Sequence, residues 1–66
     1  MLTIVLNGIE RRLAASTSVA QLLAADGFGQ RVAVEINREI VPKANYDATI
    51  VRAGDHVEII NFVGGG

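Results

Sequence analysis

The chain opens on Leu2-Thr3-Ile4-Val5-Leu6, a β-branched, alternating run, and Asn7-Gly8 follows at once. Asn-Gly between apolar runs predicts a β-hairpin, because a type I′ turn needs positive φ at both central residues. Pairing outward from that turn sets Leu6 opposite Ile9, Ile4 opposite Arg11 and Leu2 opposite Leu13. One face then carries Leu2, Ile4, Leu6, Ile9 and Leu13, while Thr3, Val5, Glu10 and Arg12 face away. Arg11 falls on the apolar face, which calls for either a bulge or an edge-strand position; the pattern does not choose between them.

A short helix with legible ends comes next. Ser18-Val19-Ala20-Gln21 fits a capping box, with Ser at the N-cap and Gln at N3. Val19, Leu22 and Leu23 form one apolar stripe. Gly27 is placed to stop the helix, and Phe28 to fold back on it in a Schellman-type turn. About two turns of helix do not stand alone in water, so this one must pack on a sheet.

Val32-Ala33-Val34-Glu35-Ile36 is a second clear strand, with Val32, Val34 and Ile36 on one face. Asn37-Arg38 offers a tight turn into Glu39-Ile40-Val41, and Pro42 ends that pairing because it has no N–H to donate. Residues 43–49 read as mostly irregular, Thr49-Ile50-Val51 as extended, and Ala53-Gly54-Asp55 as a turn into the last strand, His56 to Val63. One helix laid across one face of a mixed sheet of about four to five strands buries all the apolar stripes in a single core, an α+β arrangement. With the last strand beside the first, parallel and central, this is the β-grasp or ubiquitin-like architecture; pattern alone leaves other strand orders open. The expected division is a β-grasp domain over 1–63 and a flexible glycine tail over 64–66.

Composition narrows the chemistry. At 66 residues only about 60% of the unfolded chain's surface can be buried, so the core is thin. Half the residues are apolar, 15 of them Val or Ile, which favours β-structure. Six Lys and Arg against seven Asp and Glu, with no block of either sign, argue against a nucleic-acid binder. There is no Cys, hence no disulfide, thiolate nucleophile or Cys-based metal site, and the one histidine, His56, cannot build a histidine metal cluster. No run approaches the roughly 20 apolar residues of a membrane span, and Met1–Leu6 has no signal-peptide character. A soluble, cytoplasmic, single-domain protein is expected.

Catalytic constellations are missing as well. Ser16 and Ser18 stand at a helix start, where capping explains them, and His56 is far away in the chain. Gly27-Phe28-Gly29 resembles the opening of a dinucleotide loop, but Val32 stands where the third Gly belongs. Asp26, Glu35, Glu39, Asp47, Asp55 and Glu58 are scattered and are expected to be solvated. His56 is expected at the surface. The chain does not read as an enzyme.

What remains is Gly64-Gly65-Gly66 directly after an apolar strand. Glycine has no Cβ and reaches conformations closed to other residues. Val63 to Gly66 extend at most about 13–14 Å at roughly 3.3–3.6 Å per residue. Such a tail offers a bare α-carboxylate on a thin stalk that fits a narrow tunnel. An α-carboxyl group ordinarily titrates at about 3.3–3.7, so this one is ionised at neutral pH and able to attack the α-phosphate of ATP. The resulting acyl-adenylate is an electrophile that a sulfur nucleophile converts to a thiocarboxylate. A frayed, meaningless terminus is the bland alternative.

With these features in view, the sequence resembles the small ubiquitin-like sulfur carrier proteins, most closely the carriers of thiamin thiazole biosynthesis. The likeness is carried by Leu2–Leu6, by Thr17-Ser18-Val19-Ala20-Gln21-Leu22-Leu23, by the stretch from Val32 through Asn37 to Ile40-Val41-Pro42, and by Gly54-Asp55-His56-Val57-Glu58-Ile59 leading to Phe62-Val63-Gly64-Gly65-Gly66. The resemblance implies that Gly66 is the residue adenylated and then charged with sulfur, and that Gly65 is its partner in the Gly-Gly tail. Gly64 lengthens that tail by one. It further implies an E1-like adenylyltransferase using ATP with Mg, a sulfurtransferase or persulfide as sulfur donor, and a thiazole synthase as acceptor. The carrier itself binds no cofactor and serves as a protein cosubstrate. Neither nucleic acid nor membrane is an expected partner.

The last strand suggests where those partners dock. With Val57 and Ile59 facing the core, Glu58, Ile60 and Phe62 face outward, beside outward Val5 and leading to Val63 and the tail. Large apolar groups in such a row exceed scattered surface exposure. Three other readings stay open: a carrier for molybdopterin synthesis or tRNA thiolation, a TGS-type ligand- or RNA-binding module, and a ubiquitin-like modifier.

Overall fold

The computed structural model describes residues 1–62. Strands β1 (Leu2–Leu6) and β2 (Ile9–Leu13) form the expected hairpin, with Leu6 opposite Ile9, Ile4 opposite Arg11 and Leu2 opposite Leu13. Its turn has φ +50° at Asn7 and +82° at Gly8, the left-handed pair that a type I′ turn needs. Strands β3 (Val32–Ile36) and β4 (Glu39–Val41) form a second hairpin of the same hand, with φ +52° at Asn37 and +71° at Arg38.

The last strand, β5 (His56–Asn61), sits at the centre of a five-stranded mixed sheet ordered β2-β1-β5-β3-β4. It runs parallel to β1 and antiparallel to β3. The sheet is therefore the expected β-grasp. Strand pairing ends at Asn61, although the Phe62 N–H still donates to Arg31 O at 2.8 Å. Val63, placed at the end of this strand by the sequence pattern, lies outside the described residues.

The helix α1 (Val19–Ala25) carries the full capping box: Gln21 N–H donates to Ser18 Oγ at 3.0 Å, and Ser18 N–H to Gln21 Oε1 at 2.9 Å. Its other free donors are met by a neighbouring segment, Val19 N–H by Thr49 O and Ala20 N–H by Tyr46 O. At the far end Gly27 takes φ +75°, Phe28 N–H returns to Leu23 O, and Gly27 N–H to Ala24 O. That is the Schellman pair, and it turns Phe28 against the core.

Val19, Leu22 and Leu23 meet Ile4, Leu6, Leu13, Val32, Val34, Val57 and Ile59 in one core between helix and sheet. Val51 completes it at 1% exposure. The pattern read Thr49-Ile50-Val51 as extended, but only Ile50 pairs, in a single bridge to Ser18. The segment before it is also more ordered than expected, with a 3₁₀ turn over Lys43–Asn45.

At the corner where β2 meets the helix end, one hydrophobic-pattern expectation changes and one open choice is settled. Ile9, grouped with the core face, is 71% exposed, because the helix stops at Ala25 and does not extend over the hairpin tip. Arg11 sits on the edge strand, as one of its two expected remedies required. It is also paired: its Nη1–H donates to Asp26 Oδ2 at 2.7 Å, and its Nη2–H donates to Asp26 Oδ1. Asp26 is thus not a free solvated carboxylate. No helix among the described residues is long and apolar enough to cross a membrane.

Candidate functional site at the outer face of the last strand

β5 is held from both sides, and alternation assigns its side chains. The rungs from Asn37 N–H to His56 O and from Phe62 N–H to Arg31 O show that even-numbered residues bond toward β3. The rungs from Val5 N–H to Asp55 O and from Asn7 N–H to Val57 O show that odd-numbered ones bond toward β1. Val57 and Ile59 point into the core. His56, Glu58, Ile60 and Phe62 then fall on the face away from the helix. All four are exposed, with Ile60 at 50% and Phe62 at 53%. The outward placement read from the sequence holds for Glu58, Ile60 and Phe62.

Val5 stands apart from them. It is outward and half-buried, but its register partner is His56 and β1 ends one residue later. At about 3.3 Å per residue, Ile60 lies some four positions and roughly 13 Å further along β5. The expected patch is therefore split. Val5 and His56 mark one end of the outer face, and Ile60 and Phe62 mark the end from which the chain continues to Val63, Gly64, Gly65 and Gly66. Those four residues, including the expected modification site Gly66, lie outside the described residues.

Between the two ends sits an acidic pair. Glu35 on β3 is directly opposite Glu58, and with Asn37, Arg38 and His56 they line an open depression. Like charges facing each other across a ladder destabilise a sheet. No group of three His, Asp or Glu among the described residues is placed to hold a metal ion. Ser18 Oγ is spent on the helix cap, and among the described residues no side-chain hydrogen bond joins His56 to Ser16 or Ser18.

The sequence reading missed how the strand is fastened. Asn7 Oδ1 accepts from Ile59 N–H at 2.8 Å, and Asn7 Nδ2–H donates to Ile59 O at 3.3 Å. At the other end Asn37 Oδ1 accepts from His56 N–H at 2.9 Å, and Asn37 Nδ2–H donates to Asp55 Oδ1 at 3.0 Å. Asp55, another expected solvated carboxylate, also accepts from Arg52 N–H at 2.8 Å through Oδ2 and so closes the turn before β5. The available signal was an Asn at the first position of each hairpin turn.

What this site offers chemically is a surface. It presents two large apolar side chains on a fastened strand, next to an acidic pair, ahead of a glycine run.

The ThiS family profile matches residues 4–66. The chain is 50% identical over 64 residues to a thiazole synthase of Paramagnetospirillum magneticum, which covers 96% of this chain but 20% of that protein. It is 37% identical over 62 residues to a thiazole synthase of Magnetococcus marinus, covering 92% of this chain and 19% of that protein. The chain thus spans about a fifth of the length of these relatives. The crystal structure of the thiamine biosynthesis protein ThiS from Geobacter metallireducens superposes with a TM-score of 0.83 at 38% identity, covering 98% of this chain and all of that one.

Proposed function

Since the chain belongs to the ThiS family, we propose that it is a sulfur carrier of thiamin biosynthesis whose Gly66 carboxylate is the group that is charged. In the first step a Gly66 carboxylate oxygen attacks the α-phosphorus of ATP on an E1-like adenylyltransferase, with Mg held by the nucleotide, and pyrophosphate leaves. In the second, the terminal sulfur of a sulfurtransferase persulfide attacks the acyl carbon and AMP leaves. A thiol then reduces the acyl disulfide and frees the thiocarboxylate. A thiazole synthase takes that sulfur for the thiazole ring, so the carrier is consumed and recharged and acts as a cosubstrate. The proposed setting for this ATP-dependent work is the cytoplasm.

The observation that supports the reading most is the run from Ile60 and Phe62, exposed on a fastened central strand, straight into Gly64-Gly65-Gly66 within the matched stretch. Glycines without side chains suit a tunnel that leads to a reacting phosphate. Intact mass tests it. Incubation with ATP, the activating enzyme and a persulfide donor is expected to replace one oxygen by sulfur, and deletion of Gly66 to abolish that change while the fold persists. No mass change in the complete mixture overturns the reading. Complementation of a thiamin auxotroph separates it from the molybdopterin and tRNA-thiolation carriers.

A second reading is favoured by the relatives themselves, which are thiazole synthases about five times as long. In it the domain works inside a synthase chain as a docking module. Mass spectrometry of the natural protein decides: a free carboxylate at Gly66 supports the carrier, and a peptide bond at Gly66 supports the module.

A further inference from the structure

The parallel ladder between β1 and β5 runs out before β5 does. Its rungs pass from Val5 N–H to Asp55 O and from Asn7 N–H to Val57 O, at 2.9 Å each. The next rung would need the Asn7 carbonyl to accept from Ile59 N–H. The Asn7 main chain, at φ +50°, has already turned into the hairpin. Its side-chain amide takes over: Oδ1 accepts from Ile59 N–H, and Nδ2–H donates to Ile59 O. An amide side chain has the acceptor and donor of a peptide group, so Asn7 serves as one more residue of β1. Beyond it, Asn61 has no β1 partner in the register, and the strand goes on toward the tail held only from the β3 side.

We infer that Asn7 is a positioning residue for the charging reaction, holding the stretch from Ile59 to Phe62 in one arrangement for the activating enzyme to dock on. This rests on the carrier reading above. Without the Asn7 rung, the stretch from Ile59 to Phe62 keeps bonds on one side only. The activating enzyme must then order it at docking, and that entropy is drawn from binding. The chemistry at Gly66, once seated, is unaffected. The cost therefore falls on KM and not on kcat.

Three variants separate this from a general stability effect. Asn7→Gly keeps the positive-φ turn and removes the amide. Asn7→Asp keeps the acceptor for Ile59 N–H and loses the donor, and serves should the glycine variant fold poorly. Asn37→Gly removes the matching amide at the start of β5, far from the tail. Amide hydrogen exchange of the isolated chain and steady-state adenylation are measured on each. For Asn7→Gly the Ile59 amide is expected to exchange about tenfold faster, the loss of one net hydrogen bond. KM for the carrier should rise about fivefold with kcat unchanged. Asn7→Asp should retain most of the Ile59 protection with a smaller rise in KM. Asn37→Gly should speed exchange at His56 and leave KM alone. Wild-type exchange at Ile59 in Asn7→Gly overturns the inference, as does an equal rise of KM in Asn7→Gly and Asn37→Gly. If the wild-type chain is not adenylated at all, the carrier reading fails and the positioning role falls with it, while the exchange at Ile59 still shows whether the side-chain rung exists.

Discussion

Arg38 shows what a single residue costs this fold. It occupies the second central position of a type I′ turn at φ +71°, where an L-residue brings Cβ too close to its neighbouring carbonyl and glycine does not. The first hairpin has Gly8 at the equivalent position; the second has a cation instead. That cation borders the depression lined by Glu35 and Glu58, so the strain is set against a modest screening of two opposed carboxylates. In water such exposed charge pairs contribute little, and the backbone effect should win. Arg38→Gly is expected to stabilise the chain by about 0.5–1 kcal/mol, a rise in Tm of roughly 2–8 °C for a domain of this size. Thermal unfolding followed by circular dichroism checks it, and a lower Tm would mean that Arg38 earns its place through the two glutamates.

Among the elements, the seven-residue helix depends most on its ends. The capping box and the Schellman turn were legible because both are written in adjacent residues, Ser18 to Gln21 and Gly27-Phe28. The hairpin registers were legible for the same reason. What was not legible needed residues far apart in sequence: Arg11 reaching Asp26, the amides of Asn7 and Asn37 completing rungs on β5, and Val51 entering the core from a segment with almost no periodicity. A carboxylate in the sequence carries no sign of the cation that tertiary structure sets beside it. The Arg11–Asp26 pair also makes an element-scale prediction, since it ties the edge strand to the helix end. Hydrogen bonding to the Arg11 guanidinium lowers the Asp26 carboxyl below its ordinary value, partly opposed by desolvation. A folded-state value below the unfolded one means that the contribution is present above the unfolded pKa and is lost as pH falls through the folded one. Stability should therefore decline on acidification below about pH 4, near the ordinary aspartate value. In Asp26→Asn that part of the acid decline should be missing. Urea unfolding of both proteins across the acid range measures it, and parallel curves would show that the pair adds nothing.

At the scale of the whole molecule the sheet has two unlike faces. One is filled by the helix and Val51; the other is open, with Ile60 and Phe62 toward the tail end of β5, Val5 beside its start, and Ile40 on the edge strand β4 in line with Glu35 and Glu58. This sharpens the docking expectation. On the proposed docking, a partner that seats the tail covers Ile60 and Phe62, whereas Val5 sits six strand positions from Phe62, roughly 20 Å away. Phe62 is half exposed and outside the core cluster, so Phe62→Lys should change stability by no more than about 0.5 kcal/mol. Loss of an aromatic anchor from the middle of an interface commonly costs about 2 kcal/mol or more, so KM for adenylation should rise at least about tenfold. Val5→Thr, a small polar change at the other end of the face, should leave KM near the wild-type value. Steady-state adenylation of the two variants, with thermal unfolding as the control, distinguishes a docking area centred on the tail from one spread across the whole sheet. An equal rise in both would restore Val5 to the interface, and unchanged kinetics in Phe62→Lys would remove this face from it altogether.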